Sequence, residues 1–321
     1  MMQQEVIGGQ APIVREIDVS ADAHASGATA VELLAEACVL SRGRIKDAMS
    51  KGAVWCRKAR QGRERGRARR LRRAKSKPNT GDRLSIYYNP VVLAETCLRA
   101  SLVDDGGDYS VWDKPAGMLC QGSRWGDHCT LLRYAEQQLA SRTAFVVHRL
   151  DRMASGLVVL AHSKHAARSL SEQFAQRQVG KNYRCTVEGQ FSLQAPLLLD
   201  TPLAGKEART WIESASSAAS GPDGGPRTEL LLRIETGRKH QIRQHLALAG
   251  LPIVGDTLYG DSGDGDSSTT FGQEITSTDY DGPSIAARAR PQANSEKLQL
   301  RAVRLAFKEP KSGLFTEWNI D

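Results

Sequence analysis

The run His148-Arg149-Leu150-Asp151-Arg152 places one carboxylate between two guanidinium groups. Nearby positive charge favours the ionised carboxylate, so Asp151 is expected to carry its charge at neutral pH. In that form it can act as a nucleophile or as a general base. The flanking Arg149 and Arg152 suit an anionic substrate, because the guanidinium fork matches phosphate geometry. Taken alone, the same residues also describe a structural ion pair in a surface turn. The run by itself does not choose.

The elements that must position Asp151 are legible on either side of it. Phe145-Val146-Val147 come before, and Leu157-Val158-Val159-Leu160 follow Ser155-Gly156. Short apolar runs bounded by Gly and Ser predict buried strands. Asp151 then lies where a loop meets a sheet, a place from which a rigid scaffold aims side chains at ligands. Residues 163 to 178 predict a helix, with Ser163 as N-cap and Ala166, Leu170 and Phe174 on one face. Lys181 to Glu188 predicts a strand with Tyr183, Cys185 and Val187 on a common face, which on its own makes Tyr183 a core residue.

Arg238 to Ala249 predicts a further helix whose apolar stripe is Ile242, Leu246 and Ala249. Arg243 borders that stripe, so it is either half buried against a carboxylate or turned out to solvent. Arg238 and Lys239 fall in the first turn, against the helix dipole, at a cost of about 0.3–1 kcal/mol each. A phosphate bound at the free N–H groups reverses that penalty, which assigns Arg238 to a phosphate backbone.

Charge is distributed unevenly. The 321 residues carry a net charge of +8, but the segment from Arg42 to Arg83 holds 17 Lys or Arg against 3 acidic residues. The rest of the chain is net acidic. Such a cluster is the footprint of a polyanion-binding region, and it includes Arg42, Arg44, Arg69, Arg70, Arg72 and Arg73. A solvated basic linker would give the same count. The six cysteines, at 38, 56, 97, 120, 129 and 185, lack paired close spacing. No zinc site and no disulfide framework is expected, only reduced thiols in a cytoplasmic protein. No segment has the length of a membrane span.

Composition shifts divide the chain. Residues 1–28 are expected to be a flexible N-terminus, 29–90 a small α/β RNA-binding domain with a basic arm, 91–107 a connector and 108–321 a catalytic domain. Two stretches rich in small and polar residues, 214–226 and 261–296, are expected to be flexible insertions.

The pattern as a whole resembles RNA pseudouridine synthases of the RluA type. The resemblance rests on His148-Arg149-Leu150-Asp151-Arg152 with Ser155-Gly156, and on Phe174, Arg177, Val179, Lys181 and Tyr183. It continues through Thr236-Gly237-Arg238-Lys239-His240-Gln241-Ile242-Arg243-Gln244-His245, Gly255-Asp256 and Tyr259-Gly260, and closes with Leu298 to Gly313. Met153, Ala154 and Arg301 depart from it. Residues 29–90 resemble the alpha-L RNA-binding motif of the ribosomal S-four type, with Ser41, Arg42, Arg44 and Lys46 on its helix pair. The resemblance implies an α+β fold with a mixed, largely antiparallel central sheet and flanking helices. It implies an isomerase acting on ribosomal or transfer RNA, with Asp151, Tyr183 and Arg243 catalytic. Tyr183 would pack on a flipped-out uracil, Arg149 would fill the vacated stack, and Arg152, Lys181 and Arg238 would meet RNA. His148, His240 and His245 lack metal spacing and are expected to be structural hydrogen-bonders. Isomerisation neither oxidises nor hydrolyses, so no metal, no nucleotide and no other cofactor is expected, and the chain is read as a monomer. The competing class is a non-catalytic RNA-binding or ribosome-assembly protein, which leaves the Asp151 run unexplained.

Overall fold

Capping chemistry sets the first helices. In the computed structural model, which describes residues 11–59, 66–222, 224–260 and 296–321, Thr29 and Glu32 cap each other reciprocally and start a helix at Ala30. Ser41 accepts from the Arg44 N–H and starts the next at Arg42. The chain falls into two units, Met1–Arg99 with Met118–Arg142, and Ala100–Gly117 with Thr143–Asp321.

The first unit contains β1 (Ile13–Asp18), α1 (Ala21–Ala25), α2 (Ala30–Ala37), α3 (Arg42–Ser50), β2 (Val54–Arg57), β3 (Arg69–Arg70), β4 (Arg83–Tyr88), α4 (Pro90–Leu93) and α5 (Leu131–Gln138). Its sheet runs β1-β4-β2-β3. Leu34, Ile45, Met49, Val54, Leu84 and Ile86 are fully buried in its core. Three expectations are corrected here. Residues 13–25 are not a loose tail: β1 pairs with β4 from Ile13↔Tyr88 to Asp18↔Arg83. Its charged residues Arg15, Glu16 and Asp18 hide the strand signal, because an edge strand needs few apolar side chains. The stretch 91–107 holds most of α4 and a strand (Ser101–Asp105). Cys97 and Cys129, 32 residues apart, form a disulfide; spacing rules that look for neighbouring cysteines miss a pair made by the fold.

The second unit contains β5 (Ser101–Asp105), β6 (Tyr109–Lys114), β7 (Phe145–Val146), β8 (Ser155–Ala161), α6 (Lys164–Ala175), β9 (Gly180–Glu188), β10 (Leu197–Leu199), β11 (Thr210–Ala218), β12 (Arg227–Ile234), α7 (Gln241–Leu248), β13 (Leu300–Lys308) and β14 (Phe315–Asn319). They build one sheet in the order β10-β11-β12-β9-β13-β8-β6-β5, with β14 beside β13 and β7 beside β8. Among the described pairings only β13 with β8 is parallel. This is the mixed, largely antiparallel α+β sheet expected. Leu157, Val159 and Ala161 of β8 pack with Ala166 and Leu170 of α6, Val111, Leu305 and Phe307. Each such large side chain contributes about 1.5–3 kcal/mol on burial. The expected insertion at 214–226 begins instead as strand: residues 214–218 belong to β11 and pair with β12. The expected insertion at 261–296 lies outside the described residues except for Glu296, which binds Arg227.

One row across this sheet prepares the site. Leu232, Tyr183, Ala302, Gly156 and Lys114 are successive cross-strand partners on β12, β9, β13, β8 and β6. Gly156 is required at its place. Its φ is +107°, and a Cβ there would sit 2.2 Å from the Ala302 carbonyl oxygen.

Candidate active site

Asp151 lies in the loop between β7 and β8, and the loop is held from both ends. At its start, His148 accepts a hydrogen bond from the Val159 N–H at 3.0 Å and stacks on Phe174 at 4.4 Å. Burial, with a contribution from the charge of Lys181, pushes the His148 pKa down to about 3, so the ring is a neutral clamp. At the end of the loop, fully buried Lys114 donates from Nζ to the carbonyls of Ala154 at 2.6 Å, Pro115 at 3.0 Å and Arg152 at 3.3 Å. Leu150 is buried beneath the loop. These contacts leave Asp151 itself partly accessible, its side chain 25% exposed.

Arg243 reaches Asp151 from α7, with Nη1 3.6 Å from Oδ2. The sequence missed its second partner: Asp256 accepts from Nε at 2.8 Å and from Nη2 at 2.6 Å, both groups buried. Asp256 is fixed in turn by the N–H groups of Leu258 and Tyr259. Burial alone would lower the pKa of Arg243, but the hydrogen bonds and charge of Asp256, with the charge of Asp151, outweigh it and raise it. Burial likewise works against the Asp256 carboxylate, and Arg243 with the two N–H groups holds it below the usual range. The guanidinium is therefore a permanent charge clamped by one carboxylate and presented to another.

His240 completes the surroundings. It is the N-cap of α7 with a left-handed backbone, φ 54°, and makes no capping bond. That conformation is uncommon for a residue with a side chain and clusters at functional sites. Nε2 lies 3.8 Å from Asp151 Oδ1, and Nδ1 is 3.0 Å from the Tyr259 hydroxyl. Burial lowers its pKa, only partly offset by Asp151. His240 thus bonds Tyr259, as a structural hydrogen-bonder would, and also lies beside Asp151. His245 is one: it bonds Thr210 at 2.9 Å and the Thr201 carbonyl at 2.9 Å.

Tyr183 is buried on β9, 7% exposed, in the same row as Gly156 and two strands from it. At about 4.8 Å per strand step this sets its backbone roughly 10 Å from the start of β8. Arg149 and Arg152 are exposed, and Arg152 also donates to the Gly117 carbonyl at 3.1 Å. Lys181, expected to meet RNA, is half-buried: its Nζ lies 5.7 Å from the Phe174 ring centre, and burial lowers its pKa to about 8. The dipole argument for Arg238 is corrected. α7 begins at Gln241, three residues later than expected, because the Gln241 side chain folds back to accept from the Arg238 N–H and from Thr236. Arg238 donates to the Glu207 carbonyl at 2.8 Å. Arg301, a departure from the resemblance, binds Asp113 through both terminal nitrogens at 2.9 and 3.1 Å.

Within the first unit the basic residues separate into two kinds. Arg42, Arg44, Arg69 and Arg73 are exposed, although Arg42 also lies 3.7 Å from Glu32. Arg70 and Arg72 are not free for a ligand. Arg70 binds Asp127 at 3.0 Å, the Ser123 carbonyl at 2.8 Å and the Gly52 carbonyl, and lies over Trp55. Arg72 binds Asp127 at 2.5 Å and the Ser50 carbonyl at 2.9 Å.

Comparison with known proteins identifies a family. The profile of the RNA pseudouridylate synthase family matches residues 108–248, which include Asp151, Tyr183 and Arg243. The tRNA pseudouridine synthase C of Haemophilus ducreyi is 36% identical over 170 residues, covering 46% of this chain and 69% of that protein. The dual-specificity RNA pseudouridine synthase RluA of Vibrio parahaemolyticus is 31% identical over 214 residues, covering 62% and 74%. The chain belongs to the RNA pseudouridine synthase family. This pseudouridine synthase shares its fold with human RNA pseudouridylate synthase domain containing 1, at a TM-score of 0.52 and 20% identity over 71% of this chain and 85% of that one. Membership makes it an isomerase acting on RNA. No described helix of the synthase is long and apolar enough to cross a membrane.

Proposed function

We propose that this pseudouridine synthase isomerises specific uridines in ribosomal or transfer RNA, with Asp151 as the group that starts the reaction. The observation that carries the proposal is the Asp151 carboxylate beside a buried guanidinium that Asp256 already holds in place. Isomerisation detaches uracil through its glycosidic nitrogen, turns the base and rejoins it through carbon. An ionised carboxylate can attack the sugar or base, or take a sugar proton so that uracil departs. Each route uses the carboxylate oxygens, and Arg243 Nη1 lies 3.6 Å from one of them. Neutral His240 excludes water on one side of Asp151 without adding a competing charge.

The base must leave its helix to reach a loop of this kind, as enzymes that work on bases generally require. Tyr183 receives the flipped uracil in this reading, with stacking worth about 1–3 kcal/mol per base. Exposed Arg149 enters the gap left behind, while Arg152 and Arg238 meet phosphates at the rim. Residues 29–90 serve as an RNA-binding module of the alpha-L type, using Arg42, Arg44, Arg69 and Arg73. The synthase works as a cytoplasmic monomer, and side chains alone carry the chemistry.

Purified protein incubated with uridine-labelled ribosomal and transfer RNA tests this. Pseudouridine formed without any added cofactor is expected. Binding of both RNAs without product would instead mark a non-catalytic RNA-binding protein.

A further inference from the structure

A dithiol and an imidazole meet in the first unit. Cys97 follows α4, while His128 and Cys129 precede α5, yet their sulfurs and a ring nitrogen all lie within 4.8 Å of one another. The two sulfurs are joined as a disulfide, with the Cα atoms 4.5 Å apart. A permanent staple would account for the cysteines. It does not account for the histidine.

His128 Nε2 is buried and has no hydrogen-bond partner. A neutral imidazole carries a lone pair on one of its two ring nitrogens, and that lone pair is the donor a metal ion takes. Two thiolates and one neutral imidazole form a donor set suited to thiophilic divalent cations, Zn2+ foremost.

We propose that the reduced Cys97–Cys129 pair, together with His128, binds one Zn2+-like cation, with a fourth position left to solvent. Reduction of the disulfide takes two electrons and two protons from a dithiol, which is itself oxidised to its disulfide. Binding of the cation then releases the two thiol protons, while the imidazole releases none. Exposed Cys97 gives the reductant its access. Cys38, Cys56, Cys120 and Cys185 are buried and outside any disulfide, away from such exchange. The chain after α4 is thereby tied to the turn before α5 in either state, by a covalent bond or by a metal ion. The proposal stands independently of the role given to Asp151.

The test is titration of the full-length protein with Co2+ in the absence of air, after reduction by a phosphine. One equivalent is expected to give a sulfur-to-cobalt charge-transfer band in the near ultraviolet, bleached by Zn2+. Cys97→Ser and Cys129→Ser should each lose most of that band, and His128→Ala should weaken affinity about tenfold or more. Cys120→Ser should leave the band unchanged, and protein oxidised to the disulfide should show none. If a serine variant fails to fold, alkylation of the reduced wild type decides, because Zn2+ should protect Cys97 and Cys129 together. The proposal is overturned by a reduced wild type without the band, by a band that survives Cys97→Ser, or by alkylation indifferent to Zn2+.

Discussion

Arginine serves two regions of this synthase in opposite ways. In the segment from 42 to 83 cations are dense, yet two of the central ones are spent on structure: Arg70 and Arg72 share Asp127 and bind backbone carbonyls. Beside Asp151, by contrast, Arg243 is buried, clamped by Asp256 and turned toward a second carboxylate. The contrast shows that charge density marks where a polyanion is attracted. Which side chain is available, and for what, depends on whether a carboxylate within the fold already holds it.

That contrast can be broken or sharpened by substitution. The largest effect is expected at Asp256. Asp256→Ala leaves Arg243 buried without its bidentate partner, at a cost of about 3–5 kcal/mol in unfolding free energy, and turnover should fall because the guanidinium loses its aim. Denaturant unfolding with parallel activity assays measures both, and a stability loss under about 1 kcal/mol would show that the pair is not the clamp described. Next is Lys114→Met, which removes a donor from the carbonyls of Arg152 and Ala154 in the loop and of Pro115 beside it. We expect about 1.5–3 kcal/mol of destabilisation and a kcat reduced more than KM is raised. An unchanged kcat would mean that the Asp151 loop holds its shape without Lys114.

Within the basic segment, Arg72→Ala should destabilise the protein by about 1–3 kcal/mol and leave the salt dependence of RNA binding nearly intact. Paired Arg69→Ala and Arg73→Ala should do the reverse, reducing the slope of log K against log salt by roughly 1–2. Equal salt slopes for the two variants would erase the distinction between them. The remaining effect concerns pH and is small near neutrality. His148 is held neutral, its pKa about 3 in the fold against about 6.5 unfolded. Between those values the unfolded chain binds the extra proton, so stability falls as pH drops from about 6.5 toward 3. His148→Gln should make that acid limb shallower; an identical limb would assign it to other groups.

How much of this was legible beforehand follows from the range of the interactions involved. Strand β8 and helix α6 announce themselves through local apolar periodicity and Ser163; β8 starts at Ser155, two residues before the apolar run from Leu157, and α6 ends at Ala175, three residues short of 178. The pairing of Arg243 with Asp151 was reachable because the resemblance supplied a contact between residues 92 positions apart. The sequence names Asp256 only within the resemblance and His240 only as a structural hydrogen-bonder, and it gives Lys114 no role. The carboxylate of Asp256 is recognisable as a clamp only once α7 is folded beside it. The depth of Lys114 depends on strands from both sides of β6, and the nearness of His240 on a left-handed backbone at the start of α7. The start of α7 moved for a similar reason, since Gln241 bonds Thr236, Arg209 and Thr210 rather than extending the helix backward.

The central claim is that the Asp151 carboxylate, charged beside Arg243, performs the isomerisation. Asp151→Asn keeps the side chain's size and removes its charge, so pseudouridine formation by the purified variant on ribosomal and transfer RNA is the direct measurement. The account expects turnover to fall by about 10³-fold or more, with thermal unfolding and RNA affinity close to wild type. A variant that binds RNA, folds normally and keeps a substantial share of the wild-type rate would contradict it.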